Sequence, residues 1–196
     1  MMIKSREDYL RYLKEDMVAR GESNQSLKAK IKKYLSPTPT WVFQKKLRKY
    51  EYFLNVKKGP ISKIRLFFIN RSFRKISQKL NYTIPPNVFG PGLCILHYGT
   101  IVVNSKSKIG KNCRIEVCVN IGASAGKPEA PIIGDNVYIG PGAKIYGNII
   151  LGNNIAIAAN SSVNKSFEEN NILIAGSPAK RIKEFDISTI IKHLKY

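Results

Sequence analysis

Histidine, cysteine and acidic residues are scarce in this 196-residue chain, and each shortage excludes a class of protein. The two histidines and three cysteines show no metal-ligand spacing, so we expect no zinc site and no other metal. The cysteines are expected to be reduced thiols of a cytosolic protein. Long apolar runs are also missing: LFFI at residues 66–69 is far too short to span a bilayer, and the N-terminal residues do not resemble a signal peptide.

Negative charge is scarcest in the first part of the chain. The whole sequence has 33 Lys and Arg against 13 Asp and Glu, which gives a net charge of +20. Residues 1–80 carry 21 of the basic residues and 6 of the acidic ones, whereas residues 81–196 carry 12 and 7. This asymmetry predicts two parts with different roles.

The second part of the chain contains a repeat of six residues. Of the eleven positions met at every sixth residue from Val103 to Val163, ten are β-branched or leucine. The exception, Lys127, lies in ASAGKPEAP, which is rich in the glycine, proline and small residues typical of loops. Glycine follows the aliphatic residue in several units, as in IGKNCR, IGDNVY, IGPGAK and LGNNIA.

A period of six fits neither an amphipathic helix, whose apolar residues recur at three and four, nor a strand, in which they alternate. It fits a solenoid in which each six-residue unit is one short strand and a turn. The aliphatic side chain points inward, and Gly, Asn or Asp occupies the corner, where φ can be positive. Three units form one triangular coil, and stacked coils bury a continuous aliphatic core.

Three segments resemble the hexapeptide-repeat acyltransferases, and in particular the serine acetyltransferases. PGLCILHYGTIVV is similar to their histidine-containing first segment, GAKIYGNIILGNNIAIAANSSV to their later coils, and IAGSPAKRIK to their closing segment. The layout of the N-terminal part is also similar to that of capsule and exopolysaccharide acetyltransferases. The resemblance implies a mainly β chain, with a left-handed parallel β-helix at residues 81–183. A basic α-helical extension at 1–80 precedes it, and a short C-terminal helical tail at 184–196 follows.

Histidine suits the transfer of an acetyl group from a thioester to a hydroxyl, because a general base should titrate near neutral pH. His97 falls where the family has its catalytic histidine. The resemblance therefore implies that His97 deprotonates the acceptor directly, in a ternary complex with acetyl-CoA. The other histidine, His193, lies in IIKHLKY, and we expect it at an exposed helix end.

Three positions depart from the serine acetyltransferases. The family's carboxylate fifteen residues before the histidine is Tyr82 here, the Asp just before the histidine is Leu96, and a second histidine in the protruding loop is Ala130. Those groups are associated with holding serine, so their loss favours another acceptor. Glu116, about one coil after His97, is a candidate to orient the imidazole; a solvent-facing glutamate is the alternative.

Coenzyme A is expected along the later coils, with small residues beside its pantetheine arm and cations at its phosphates. The resemblance assigns the small-residue positions to Gly142, Ala159, Asn160 and Ser161. Three basic residues are candidates for the phosphates, with solvated surface charge as the alternative for each: Lys165, Lys180 and Arg181. The loop at residues 123–131 is expected to cover the thioester or the acceptor.

Residues 1–80 leave three interpretations open. Apolar residues at helical spacing predict helices at 5–20, 26–52 and 61–80. Packing of these helices on the solenoid and on a neighbouring subunit is favoured, and contact with an anionic membrane is the alternative. A nucleic-acid module is disfavoured, because none of its sequence signatures is present.

These features predict an acetyl-CoA-dependent O-acetyltransferase whose acceptor is a sugar hydroxyl of a surface polysaccharide or its precursor. Serine O-acetylation is the alternative, and a non-catalytic solenoid scaffold is a remote one. The resemblance also implies a homotrimer. We expect a cytoplasmic protein, with the inner face of the membrane as the alternative location.

Overall fold

The structure, a computed structural model, describes residues 2–21 and 35–195 and begins with three α-helices. They are α1 (Arg6–Ala19), α2 (Pro39–Asn55) and α3 (Pro60–Leu80). The Ser5 hydroxyl caps α1 by accepting a hydrogen bond from the Asp8 backbone N–H, and proline begins both α2 and α3. Of the helix predicted at 26–52, residues 26–34 lie outside the described residues, and α2 begins only at Pro39.

Thirteen short strands follow the helices. They are β1 (Tyr82–Thr83), β2 (Ile101–Val103), β3 (Lys108–Ile109), β4 (Arg114–Ile115), β5 (Val119–Gly122), β6 (Ile132–Ile133), β7 (Tyr138–Ile139), β8 (Lys144–Tyr146), β9 (Ile150–Leu151), β10 (Ile155–Ile157), β11 (Ser162–Val163), β12 (Ile172–Gly176) and β13 (Ala179–Glu184). Two 3₁₀ helices, Ile187–Thr189 and Lys192–Lys195, form the tail. In the described ranges no helix has the length and apolar character needed to cross a membrane.

The strands form three sheets that the chain visits in rotation. The first sheet has the order β1-β2-β5-β8-β11, the second β3-β6-β9, and the third β13-β12-β10-β7-β4. Neighbouring strands are parallel except in the β12–β13 hairpin. Val103 pairs with Ile121 and Ile145 pairs with Val163, so one circuit of the three sheets takes eighteen residues, or three six-residue units.

The aliphatic repeat forms the core of this arrangement. All ten aliphatic repeat positions from Val103 to Val163 are at most 3% exposed. Lys127, the exception, is exposed in the loop between β5 and β6. The prediction that the aliphatic residue of each six-residue unit points inward is therefore confirmed. The prediction that Lys127 lies in a loop is also confirmed.

The turns between sheets stack into three corners, which we number by their position in the rotation. Corner I joins the first sheet to the second and consists of residues 104–107, 123–131, 147–149 and 164–166. Corner II joins the second sheet to the third and consists of residues 110–113, 134–137, 152–154 and 168–171. Corner III joins the third sheet to the first and consists of residues 95–100, 116–118, 140–143 and 158–161. Corner II is held by an asparagine ladder, in which each side-chain N–H donates to the next carbonyl oxygen at 2.8 Å. All four ladder residues have a φ between 56° and 59°, as predicted for corner residues: Asn112, Asn136, Asn154 and Asn171.

A buried arginine joins the helices to the first coil. The Arg48 guanidinium donates to the Asp16 carboxylate at 2.8 and 3.1 Å and to Glu51 at 3.0 Å. It also donates to the carbonyl oxygens of Phe89 and Gly90 at 3.0 and 2.7 Å. The three charged residues are at most 1% exposed. The helices therefore pack on the repeat domain, as the favoured interpretation of the basic part predicted. The packing on a neighbouring subunit, which that interpretation also included, stays a prediction.

The tail returns along the outside of the third sheet. Ile187 and Ile191 pack against Ala156, and the His193 Nε2 atom lies 3.2 Å from the Asn112 Oδ1 atom at the start of the asparagine ladder. The prediction of an exposed His193 is wrong, because the apolar side chains of the tail hold it against the coils. Burial lowers the pKa of His193.

Candidate active site

His97 lies in corner III, on a segment longer than the one stacked on it. Cys94 pairs with Arg114, twenty residues later, whereas Ile101 pairs with Val119, eighteen residues later. The segment therefore holds two extra residues, and it accommodates them by looping outward. The His97 side chain is exposed as a result, although the six-residue register alone would turn it inward.

Hydrogen bonds fix the backbone of this loop. The Tyr82 hydroxyl donates to the His97 carbonyl oxygen at 2.6 Å, and the Gly99 N–H donates to the Leu80 carbonyl oxygen at 3.3 Å. Burial raises the pKa of Tyr82, which keeps its hydroxyl protonated and able to donate. Within the described parts of the chain the His97 imidazole has no hydrogen bond, so its nitrogens are open to a substrate.

Glu116 has a different partner from the one that we expected. Its Oε1 atom accepts hydrogen bonds from the Arg114 Nε and Nη2 atoms, both at 2.9 Å, and Glu116 is only 8% exposed. The Arg114 guanidinium also lies over the Tyr138 ring at 5.6 Å. The expected contact between Glu116 and His97 is not formed, because a buried carboxylate needs a close cation and Arg114 supplies it two residues away.

Corner III stacks the His97 loop on the later turns. A Cβ atom at Gly99 would lie 3.2 Å from the Val117 side chain in the next layer. Val117 in turn accepts a hydrogen bond from the Gly142 N–H at 2.9 Å, and the Pro141 carbonyl oxygen accepts one from the Asn160 N–H at 2.9 Å. The exposed histidine therefore lies at one end of a column of turns that contains the expected coenzyme A positions.

The small residues of this column differ in how closely they are packed. Gly142 has a φ of 76°, and a Cβ atom there would collide with the Asn160 Oδ1 atom. Ala159 and Asn160 are exposed, whereas Ser161 is buried and its hydroxyl donates to the Ala158 carbonyl oxygen at 2.8 Å. The structure thus brings Gly142, Ala159 and Asn160 together at the surface and turns Ser161 into the coil.

Lys180 lies beside the same column. It is exposed on β13, where its backbone pairs with Ala175 of β12. The preceding residue of β12, Ile174, accepts a hydrogen bond from the Ala158 N–H at 3.0 Å, which joins the hairpin to corner III. Lys180 is therefore a predicted phosphate partner on the strand hairpin that joins corner III.

The other two predicted cations are engaged elsewhere. The Arg181 Nε atom donates to the two Glu169 carboxylate oxygens at 3.0 and 2.9 Å. Lys165 lies in corner I, and its Nζ atom is 5.4 Å from the centre of the Phe167 ring. Within one chain the structure does not bring Lys165 together with Gly142 and Asn160.

A recess of about 190 Å³ opens beside the loop, on the side of Leu96. Arg20 at the end of α1, Arg114 on the second coil and His193 in the tail also line it. Sequence reasoning missed this recess, because its walls come from both ends of the chain and no local pattern connects them.

Comparison with known proteins adds a family model and curated relatives. Residues 130–165 match the bacterial transferase hexapeptide model (six repeats). Two serine acetyltransferases, from Buchnera aphidicola subsp. Schizaphis graminum and Staphylococcus aureus strain Mu50, are each 36% identical over 103 residues. That segment covers 51% of this chain but only 39% and 47% of those proteins, so the chain spans less than half the length of the curated relatives it matches.

Solved structures extend the likeness to nearly the whole chain. A serine acetyltransferase from Brucella abortus strain S19 is 27% identical with a TM-score of 0.72, and covers 93% of this chain and 72% of that one. The same organism's serine acetyltransferase in complex with coenzyme A is 26% identical with a TM-score of 0.71, covering 92% and 70%. The predicted likeness to capsule acetyltransferases is not shown by these matches. They show a mainly β chain with hexapeptide repeats that is similar to the serine acetyltransferases.

Proposed function

We propose that this chain is an acetyl-CoA-dependent O-acetyltransferase with His97 as its general base, built on a left-handed parallel β-helix. The observation that carries the proposal is corner III, where the exposed His97 shares one column of turns with Gly142 and Asn160. The similar Brucella abortus enzyme in complex with coenzyme A supports the choice of donor.

In the proposed reaction an imidazole nitrogen of His97 accepts the proton of the acceptor hydroxyl while its oxygen attacks the thioester carbonyl. A carbon–oxygen bond forms, the carbon–sulfur bond breaks, and coenzyme A leaves as the thiol after taking the proton from the imidazolium. Such proton transfer contributes about 10²–10⁴ in rate. The bond from Tyr82 restrains the backbone that carries the imidazole, which limits the positions that the base can take.

Coenzyme A is proposed to lie along corner III. Its pantetheine arm would follow Gly142, Ala159 and Asn160, and its phosphates would meet Lys180. Ser161 has a supporting role, since its buried hydroxyl fixes the turn that presents Asn160. Arg181 would have to exchange Glu169 for a phosphate in order to take part.

A homotrimer would explain the placement of the remaining predicted parts. The loop at 123–131 and Lys165 belong to corner I, whereas the His97 column is corner III, at another edge of the triangular coil. One chain cannot bring these edges together, but a neighbouring subunit can present its corner I to this chain's corner III. The three cysteines, all free, are compatible with a cytoplasmic enzyme.

L-serine is the first acceptor to test, because the matched relatives are named serine acetyltransferases. They favour this alternative over the sugar acceptor that the sequence pattern predicted. One structural observation still favours a sugar hydroxyl as the second candidate. The three positions that depart from the serine acetyltransferases hold uncharged side chains, which cannot form an ion pair with an amino acid. Tyr82 and Ala130 are buried, and Leu96 lines the recess.

A thiol-release assay with acetyl-CoA decides between the two acceptors. L-serine is compared with a panel of nucleotide sugars and glycans, and Leu96→Asp serves as a matched variant that restores the family's acidic residue. Saturable release with L-serine supports serine acetylation, whereas release only with a sugar supports the second candidate. If the wild-type chain accepts sugars alone and Leu96→Asp gains activity on serine, Leu96 is a determinant of acceptor choice. No acceptor-dependent release with any compound would contradict the proposal.

A further inference from the structure

Helix α3 carries an apolar cluster that no described part of the chain covers. Ile61, Ile64, Phe67 and Phe68 are between 61% and 68% exposed, and the rings of the two phenylalanines meet edge to face at 5.5 Å. Their spacing places them on one face, opposite the residues by which α3 packs on the core. An exposed cluster of this kind is unusual on a soluble domain and indicates an interaction site.

The same face of α3 continues as a cationic surface. Arg71, Arg74 and Lys75 line a shallow groove that begins at Phe67. α3 has six basic residues and no acidic one, and the sequence contains no Asp or Glu between Glu51 and Glu116. Among the residues that the structure describes, none of the basic residues of α3 is paired with a carboxylate.

We propose that this face of α3 docks on an anionic lipid bilayer. The apolar cluster would enter the boundary between headgroups and acyl chains, and the three cations would bind lipid phosphates. A second copy of the chain fits less well, because it would place these cations opposite each other in a protein of net charge +20. A nucleic acid would use the cations and the two phenylalanine rings, but it would leave the aliphatic Ile61 and Ile64 exposed to water, whereas a bilayer buries all four apolar side chains. This inference does not depend on the proposed acetyl transfer.

Vesicle co-sedimentation of the full chain tests the proposal. We expect binding to vesicles of phosphatidylcholine mixed with phosphatidylglycerol, little binding to phosphatidylcholine alone, and weaker binding as salt is added. Arg71→Gln/Arg74→Gln/Lys75→Gln should lower the partition coefficient about 100-fold, since each cation near such a surface contributes a factor of about five. Phe67→Ser/Phe68→Ser should also lower it, by removing the inserted rings.

The matched control is Lys106→Gln/Lys108→Gln/Lys183→Gln, which also removes three positive charges, but from exposed positions of the repeat domain. An equal loss in this control would overturn the proposal in favour of diffuse electrostatic attraction. Equal binding to neutral and anionic vesicles would also overturn it, because the cations would then not contribute to binding. Sedimentation velocity without lipid provides a second test of the phenylalanine variant. If that variant changes the oligomeric state and leaves vesicle binding intact, the face is an interface between copies and the proposal is wrong. Circular dichroism verifies that each variant is folded.

Discussion

The Tyr82 hydroxyl donates a 2.6 Å hydrogen bond to the backbone carbonyl oxygen of His97, fifteen residues further along the chain. The bond restrains the backbone of the loop and leaves both ring nitrogens unbound within the described residues. The resemblance to the serine acetyltransferases places the family's carboxylate at the position of Tyr82. Here the same position supports the loop and makes no contact with the imidazole.

Tyr82→Phe is therefore expected to lower kcat about tenfold and to leave KM for acetyl-CoA unchanged. The hydrogen bond that the Tyr82 hydroxyl donates is worth about 1 kcal/mol or somewhat more, and a loop without it would misplace the base. Steady-state kinetics measures both constants. Tyr98→Phe is the control, since Tyr98 is 70% exposed; equal effects of the two variants would show that the Tyr82 bond has no special role.

Arg48 is expected to be the most sensitive charged residue for stability. Replacing it with Met leaves Asp16 and Glu51 buried without their cation, which typically costs about 3–5 kcal/mol of the free energy of unfolding. Urea unfolding measures the change. Arg11→Met removes two surface ion pairs and should change little. A similar loss for both variants would contradict the role given to burial.

Gly142→Ala is expected to raise KM for acetyl-CoA by about fivefold or more, because about 1 kcal/mol of strain corresponds to that factor. The new Cβ atom would meet Asn160 at a positive φ and displace the proposed pantetheine surface. Gly59→Ala is the control, with a positive φ of 91°, nothing within 4 Å of the Cβ position and a place outside the proposed coenzyme A surface. If both variants raise KM equally, the backbone strain and not the contact with Asn160 is responsible.

Acid is expected to loosen the tail through His193. Burial lowers the pKa of His193 below its ordinary value of 6.5, so the unfolded tail binds the proton more readily than the docked tail does. The contribution of His193 to stability is therefore fully present above pH 6.5 and is lost as the pH falls below that value. Thermal unfolding midpoints as a function of pH should show this loss in the wild type and a smaller one in His193→Gln. The exposed His97→Gln variant should retain the wild-type dependence, and identical profiles for all three proteins would rule out the linkage.

The repeat could be predicted from the sequence because its period is a local property. Every aliphatic position from Val103 to Val163 needs only its own spacing to be assigned to the core, and Asn112 and Asn136 show by residue type that they suit a positive φ. Gly142 and Asn160 were assigned by resemblance to the family's later coils, and their role in binding coenzyme A stays a prediction.

The neighbours of His97 could not be predicted, because they depend on tertiary register. The segment between Cys94 and Ile101 is two residues longer than the one stacked on it. That difference is visible only when Cys94 and Ile101 are paired with their partners in the next coil. The Arg114–Glu116 pair and the docking of His193 on Asn112 likewise join groups whose sequence spacing carries no signal. Spacing placed Glu116 one coil from His97 but could not show that Arg114 is the nearer partner.

Kinetics of His97→Ala test the central claim most directly. Acetyl-CoA turnover with the best acceptor should fall by about 10²–10⁴, while thermal stability and coenzyme A binding by calorimetry stay close to wild type, because the imidazole is exposed and makes no hydrogen bond in the described residues. Turnover within a few fold of wild type would contradict the assignment of His97 as the general base.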